Sequence, residues 1–297
     1  MVSIRKCCSV MSIPPCIRPK TAAETASVFT VGKWANRWWA GCSWKMTCVW
    51  RYRKNSSCFW CISPSGIFSV AAWWAAKVLV RWKHPLKGLI SPDVFIPLAE
   101  ETGLILPLGN WILRTALAQA RSWKDQQLPD FTLAINLSTA QLNAGLPRQI
   151  AAMLRSYELA PGRLELEVTE TLLMTAPEES TRVLGELKKT GIRIALDDFG
   201  TGYSSLAYLS RLPLDVLKID KSFVDGLPDR QDDVVIARLI IRMAAQLGMI
   251  TLAEGVENEA QLRFLKEAGC HLMQGYLKAR PLPPEEVAAL VSKIQGV

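Results

Sequence analysis

The sequence predicts an α/β chain folded as a TIM-like (β/α) barrel whose first strand is missing or replaced. Three observations carry that prediction. From Lys77 onward, short apolar, β-branched runs alternate with longer segments of helical period, the pattern of parallel strands joined by crossover helices. Seven such runs are present, one fewer than an eightfold barrel needs. The C-terminal ends of the last six carry carboxylate, amide or amine side chains, and that end is where a barrel keeps its chemistry.

The elements follow in order. Strand 77–82 (KVLVRW) precedes a segment of helical period near 107–125 (PLGNWILRTALAQARSWKD). Strand 131–137 (FTLAINL) leads to a helix at 147–157, strand 163–169 (RLELEVT) to one at 177–190, and strand 192–197 (IRIALD) to one at 203–211. Strand 215–219 (DVLKI) precedes helix 233–247, and strand 249–254 (MITLAE) precedes helix 257–268. Strand 270–274 (CHLMQ) precedes a last helix at 284–295, which starts after the Pro281–Pro284 cluster. The missing strand belongs before Lys77.

Composition breaks at the same place. The net charge is +8, yet residues 1–76 hold ten Lys/Arg and the single acid Glu24, leaving 25 Lys/Arg against 26 Asp/Glu in the rest. The basic excess therefore belongs to the head. Its basic residues follow no helical stripe and no nucleic-acid motif, so no nucleic-acid partner is expected. Seven of eight cysteines and eight of eleven tryptophans also precede Lys77. Cys58 and Cys61 form one isolated pair with no second CxxC and no histidine before His84, too little for a zinc or disulfide scaffold. The first residues lack the order of a secretory signal. The uncharged stretch 55–76 is long enough to span a bilayer, but its serines, Asn55, Pro64 and Gly66 make a poor membrane helix. The expected organisation is an unassigned, disordered or out-of-frame segment at 1–76 and a cytoplasmic catalytic domain at 77–297.

Reading the strand ends in order gives Asn136, Glu167 with Glu170, Asp197 with Asp198, Lys218 with Asp220, Glu254 with Glu257, and Gln274. One such carboxylate is routine as a solvated end or helix cap. Successive strand ends that converge on one mouth are a site. Clustered carboxylates repel unless a cation sits among them, and hard oxygen ligands favour magnesium or manganese over zinc. Two divalent ions a few Å apart suit in-line attack of water on a phosphodiester. A neighbouring lysine holds that water and offsets developing charge. The residues point to a metal-dependent phosphohydrolase.

The stretches LVRWKHP (79–85), FIPLAEETGLI (95–105), LAINLS (133–138), ELEVTET (165–171), ALDDFGTGYSSL (195–206), LKIDKSFV (217–224), AEGVE (253–257) and QGY with RP (274–281) closely resemble the bacterial EAL domain. The resemblance covers about three quarters of the chain, in order and without large gaps. It implies hydrolysis of cyclic-di-GMP to linear pGpG with two Mg²⁺ or Mn²⁺ ions. By motif, it makes Asn136, Glu167 and Asp197 metal ligands, with Asp197 bridging both ions, and has Asp198 and Glu254 complete the second site. Lys218 would contact the catalytic water, Glu170 would brace the loop after Asp197, Gln274 would lie near the metals and Arg81 near a substrate phosphate. Gly200 and Gly202 would permit tight turns in that loop. Glu257 and Asp220 read as scaffold or loop anchors, and Phe199 and Tyr203 as packing residues.

The family's defining Glu-Ala-Leu triplet, whose Glu binds a metal, aligns here with Lys77-Val78-Leu79. An ammonium has no lone pair to give a metal. The family's Tyr-Gln-Pro strand, which precedes that Glu, is also absent. The genetic code offers an origin for both. Trp60-Cys61-Ile62-Ser63-Pro64, read from the third base of each codon, permits Val-Tyr-Gln-Pro. With the same offset, Trp73-Trp74-Ala75-Ala76-Lys77 permits Val-Gly-Gly-Glu. One extra base near codon 77 would restore the frame. Segment 58–72 has enough strand propensity to pair in the gap, as a poor substitute.

The expectation is a cyclic-di-GMP phosphodiesterase by descent, of low stability and impaired turnover. The alternative is a catalytically inactive module that binds cyclic-di-GMP or docks a protein. The family resemblance also implies homodimer formation.

Overall fold

Seven runs whose faces alternate between apolar and site-bearing residues build a wall with two different sides. The computed structural model describes residues 58–67, 73–84, 86–128, 132–200 and 206–295. Strands β1 (Cys58–Ile67), β2 (Trp73–His84), β3 (Gly88–Ile90), β4 (Thr132–Asn136), β5 (Leu164–Thr169), β6 (Arg193–Phe199), β7 (Val216–Ile219), β8 (Ile250–Ala253) and β9 (Leu272–Gln274) form one sheet. From β2 through β4 to β9 every neighbouring pair is parallel. Strand β1 lies antiparallel to both β9 and β2 and so closes the ring. The gap is thus filled by residues 58–67, and the barrel strand is a replacement. Strand β1 and the first four residues of β2 lie on the head side of the 76/77 boundary.

All seven expected strands form. Helices α1 (Pro92–Glu101), α2 (Ile105–Asp125), α3 (Leu146–Ser156), α4 (Glu170–Thr175), α5 (Pro177–Lys189), α6 (Leu206–Leu209), α7 (Gln231–Gln246), α8 (Glu259–Ala268) and α9 (Pro284–Gln295) connect and flank them. Two helices, α1 and α4, were not expected, nor was the edge strand β3. Helix α1 opens with Pro92, whose missing N–H costs nothing in a first turn. It buries Phe95 edge-on against the fully buried Trp82 of β2, with ring centres 5.7 Å apart. The helix expected at 203–211 is described only as Leu206–Leu209, because residues 201–205 lie outside the described set. It ends before Leu212-Pro213, where the proline disfavours helical geometry in the residue preceding it.

Strand period decides which side each residue faces. Leu133, Leu166, Leu196, Leu217 and Met273 point outward and join the helices in the main core. Ala195, Val216, Leu252 and Leu272 point inward with Ile250 and plug the barrel. No helix among the described residues is long and apolar enough to cross a membrane.

Two local devices hold the mouth. Helix α8 starts at Asn258, whose side chain accepts from Ala260 and Gln261 N–H while Gln261 answers the Asn258 N–H, and it stops at Gly269 with φ 90°. This anchors the loop that follows β8. At the end of β9, a Cβ on Gly275 would stand 2.1 Å from the Val256 carbonyl oxygen, so only glycine lets these two segments pass.

Candidate functional site: a salt-bridged cluster at the barrel mouth

Two residues beyond each inward position near the plug, the same strand face points into the mouth. Ala75, Ala134, Glu165, Ala195, Val216, Leu252 and Leu272 are followed in this way by Lys77, Asn136, Glu167, Asp197, Lys218, Glu254 and Gln274. Parallel pairing in register converts seven distant sequence positions into one rim.

At its centre, two ammonium groups sit among three carboxylates. Lys218 Nζ lies 2.8 Å from Glu167 Oε1, 3.0 Å from Asp197 Oδ1 and 2.5 Å from Glu254 Oε1. Lys77 Nζ lies 3.0 Å from Glu167 Oε2, 3.1 Å from Asp197 Oδ2 and 3.1 Å from Glu254 Oε1. The Asn136 carboxamide closes one side: with its nitrogen turned inward, it donates to Glu167 Oε2 at 3.2 Å and Asp197 Oδ2 at 3.3 Å. Lys218 is 0% exposed, Glu167 1% and Asp197 4%, so these charges are held out of water and must satisfy one another.

The electrostatics follow from that burial. Desolvation pulls Lys218 and Lys77 down, but the surrounding carboxylates outweigh it and hold both above the ordinary lysine range. Desolvation likewise opposes ionisation of Asp197 and Glu254, yet the two lysines keep both below the usual carboxylate range. Three carboxylates against two ammoniums leave one negative charge uncompensated. The deficit falls on Glu167, which burial raises above its ordinary value despite both lysines. One step below, Glu165 is 1% exposed, and its Oε2 has no hydrogen-bond partner among the described residues. Burial, then the Glu167 charge, pushes Glu165 up to about 8.

Asp198 reaches the same mouth by a backbone distortion. Consecutive strand residues point to opposite faces, so Asp197 and Asp198 should diverge. Instead Asp198 adopts φ 54°, the β6–β7 register breaks between Leu196 and Phe199, and the Asp198 N–H donates to Asp197 Oδ1 at 3.2 Å. As a result one oxygen each from Asp197, Asp198 and Glu254 lie within 4.8 Å of one another. Burial and then the Asp197 and Glu254 charges raise Asp198. Gly200, φ 97°, completes the turn beside Phe223.

Asp197, Asp198 and Glu254 stand close enough to share one divalent cation, provided the ammoniums on Asp197 and Glu254 yield an oxygen from each. They do not fit a second between Glu167 and Asp197, because the Lys77 ammonium stands there.

The other expected site residues are less central. Gln274 is buried on the inner face of β9 and pairs with Ser65 of β1. Arg81 lies four residues beyond Lys77 on the same face, half-buried, with its guanidinium donating to the Val80 carbonyl at 2.9 Å. Glu170 is not brought into the cluster. It opens α4 on the helix side of the wall, beside Leu173, Leu196 and Tyr208. The loop it was expected to brace includes Gly202 and Tyr203, which lie outside the described residues. Asp220 accepts from the Ser222 N–H as a cap, Glu257 pairs with Lys221 at 2.7 Å, and Phe199 is buried in the core. The side chains of Cys58 and Cys61 lie outside the described set. Lys77, expected as an ammonium in place of a lost ligand, pairs with three of the carboxylates at the mouth; the inward parity it shares with Arg81 gave its face but not its partners.

Comparison with known proteins places this geometry. A profile described as the EAL domain matches residues 71–281. The bifunctional diguanylate cyclase/cyclic di-GMP phosphodiesterase MucR of Pseudomonas aeruginosa is 45% identical over 217 residues, which are 73% of this chain and 32% of MucR. The cyclic di-GMP phosphodiesterase NbdA of the same organism is 47% identical over 208 residues, 70% of this chain and 27% of NbdA. The chain thus spans about a third or less of the length of these curated relatives. A solved structure, the PaMucR phosphodiesterase in complex with c-di-GMP, superposes with a TM-score of 0.77 at 39% identity, covering 82% of this chain and 98% of that one.

Proposed function

The chain belongs to the EAL domain family, and on that premise we propose that it is a cyclic-di-GMP phosphodiesterase by descent whose hydrolysis to pGpG is impaired in this sequence. The observation that carries the reading is the ion-paired Lys77 at the position of the family's metal-binding Glu, within 3.1 Å of three carboxylates.

In this reading Asn136, Glu167, Asp197, Asp198 and Glu254 are the ancestral ligand set for Mg²⁺ or Mn²⁺. Of these, Asp197, Asp198 and Glu254 are the group positioned to hold one ion. When bound, such an ion supplies Lewis-acid activation of a phosphodiester oxygen and of water. Lys218 is the buried cation that would orient the attacking water, although three carboxylates already engage it. Arg81 and Gln274 would meet the substrate from the rim, and Glu170 stands on the helix side of the wall beside Leu196. Residues 58–67 contribute the replacement strand. The working setting is the bacterial cytoplasm, as a homodimer.

The same observation favours a second reading, binding of cyclic-di-GMP without turnover. The two are separated by measuring equilibrium binding beside hydrolysis in Mn²⁺. Binding with hydrolysis at least about a hundredfold below an intact family member is expected. Turnover near that of an intact member overturns the proposal.

A further inference from the structure

Lys77 adds a charge as well as removing one. Its strand is paired on both sides, with Lys77 opposite Ser63 of β1 and Ala134 of β4, so the backbone that launches the side chain is fixed. The ammonium ends where oxygens of Glu167, Asp197 and Glu254 converge at 3.0–3.1 Å, with the Asn136 amide beside them. A divalent ion at about 2.1 Å from Glu167 and Asp197 oxygens would press against this ammonium, cation on cation, in a site from which water is excluded.

The charge count gives the same answer. Glu167, Asp197, Asp198 and Glu254 against Lys77 and Lys218 leave a net charge of −2, which one divalent ion balances, so a second would overcompensate. Without the Lys77 charge the same groups sit at −3, which one ion leaves unbalanced. With Glu at this position they reach −4, which two divalent ions balance.

We propose that the Lys77 ammonium is the resident cation of this mouth. It neutralises Glu167 and Asp197 from within the chain and excludes a divalent ion from the space between them, which makes folding of the barrel mouth independent of metal. The inference rests on the phosphodiesterase reading only for identifying where an ion would otherwise sit, and its test contains no nucleotide. Failure to bind cyclic-di-GMP would therefore sink that reading and leave this one standing.

The test counts Mn²⁺ bound by the full chain in equilibrium dialysis and follows thermal melting in EDTA and in Mn²⁺. The wild-type chain should bind at most one ion. Lys77→Met and Lys77→Glu should each bind one ion more than the wild type. In EDTA, Lys77→Met should melt about 5–10 °C below the wild type and recover in Mn²⁺. Two ions bound by the wild type overturn the proposal, as does a Lys77→Met chain with the wild-type ion count and wild-type melting in EDTA. Should both variants fail to fold, the wild-type count alone decides.

Discussion

Lys77 Nζ stands 3.1 Å from Asp197 Oδ2, joining the first parallel strand to the fourth across the barrel mouth. The two residues are 120 positions apart in sequence, and only closure of the sheet brings them together. Aspartate at this point is the ligand that the family resemblance assigns to both metal ions. Here both its oxygens are engaged by ammonium groups. Occupation of that carboxylate by lysine links the fold to the proposed impairment of hydrolysis.

Returning the ligand should return chemistry. Lys77→Glu removes the blocking cation and supplies an oxygen donor on an unchanged backbone. Hydrolysis of cyclic-di-GMP in Mn²⁺ should rise on the order of a hundredfold above the wild type. Unchanged turnover in a folded Lys77→Glu chain would assign the defect to the replacement strand β1 instead.

Lys218 is the other half of the counter-charge and is wholly buried. Lys218→Met leaves three carboxylates facing a single ammonium. Urea denaturation should show a loss of about 3–5 kcal/mol, the usual cost of stripping one partner from a buried ion pair. A loss under about 1 kcal/mol would mean that water or protons neutralise the cluster unaided.

Glu165 sets a pH dependence. Its carboxyl is raised to about 8 in the fold, so it keeps its proton between its unfolded value and pH 8 while the unfolded chain has lost it. The folded state then binds more protons than the unfolded one, and stability falls as pH rises through that window. The slope is roughly 1.4 kcal/mol per pH unit for one proton. Chemical denaturation at pH 6 and pH 8 should show this decline, and Glu165→Gln should flatten it. Equal slopes in both chains contradict the assignment.

Much of this was legible in the sequence. Six of the seven expected strands announced themselves by apolar runs ending in a polar residue, and Asn136, Glu167, Asp197, Lys218 and Glu254 were named from that rule alone. The rule failed where side-chain direction changes. Thr169 is the last inward residue of β5, so Glu170 turns to the helix side, which a count of strand-end carboxylates does not register. Asp198, named from the strand ends, does reach the mouth, but through a left-handed backbone that strand parity does not foresee. Helix α1 was hidden because its apolar face is short, with Phe95 and Ala99 its buried residues. The destination of the Lys77 ammonium was invisible because a single sequence shows a missing ligand but not the space the new side chain enters.

The coding DNA bears on the origin of the replacement strand. Codons 60–64 should contain, from each third base, GTG-TAT-CAG-CCC, and codons 73–77 should contain GTG-GGC-GGC-GAA. Determining the nucleotide sequence checks this directly. Codons that forbid the second reading remove the frame-shift origin and leave the structural argument untouched.

Crystals grown in Mn²⁺ and measured at the manganese absorption edge give the most direct test of the central claim. No anomalous peak is expected between Glu167 and Asp197, with the Lys77 ammonium in that position. A manganese peak bridging those two carboxylates, with Lys77 turned away, would contradict it.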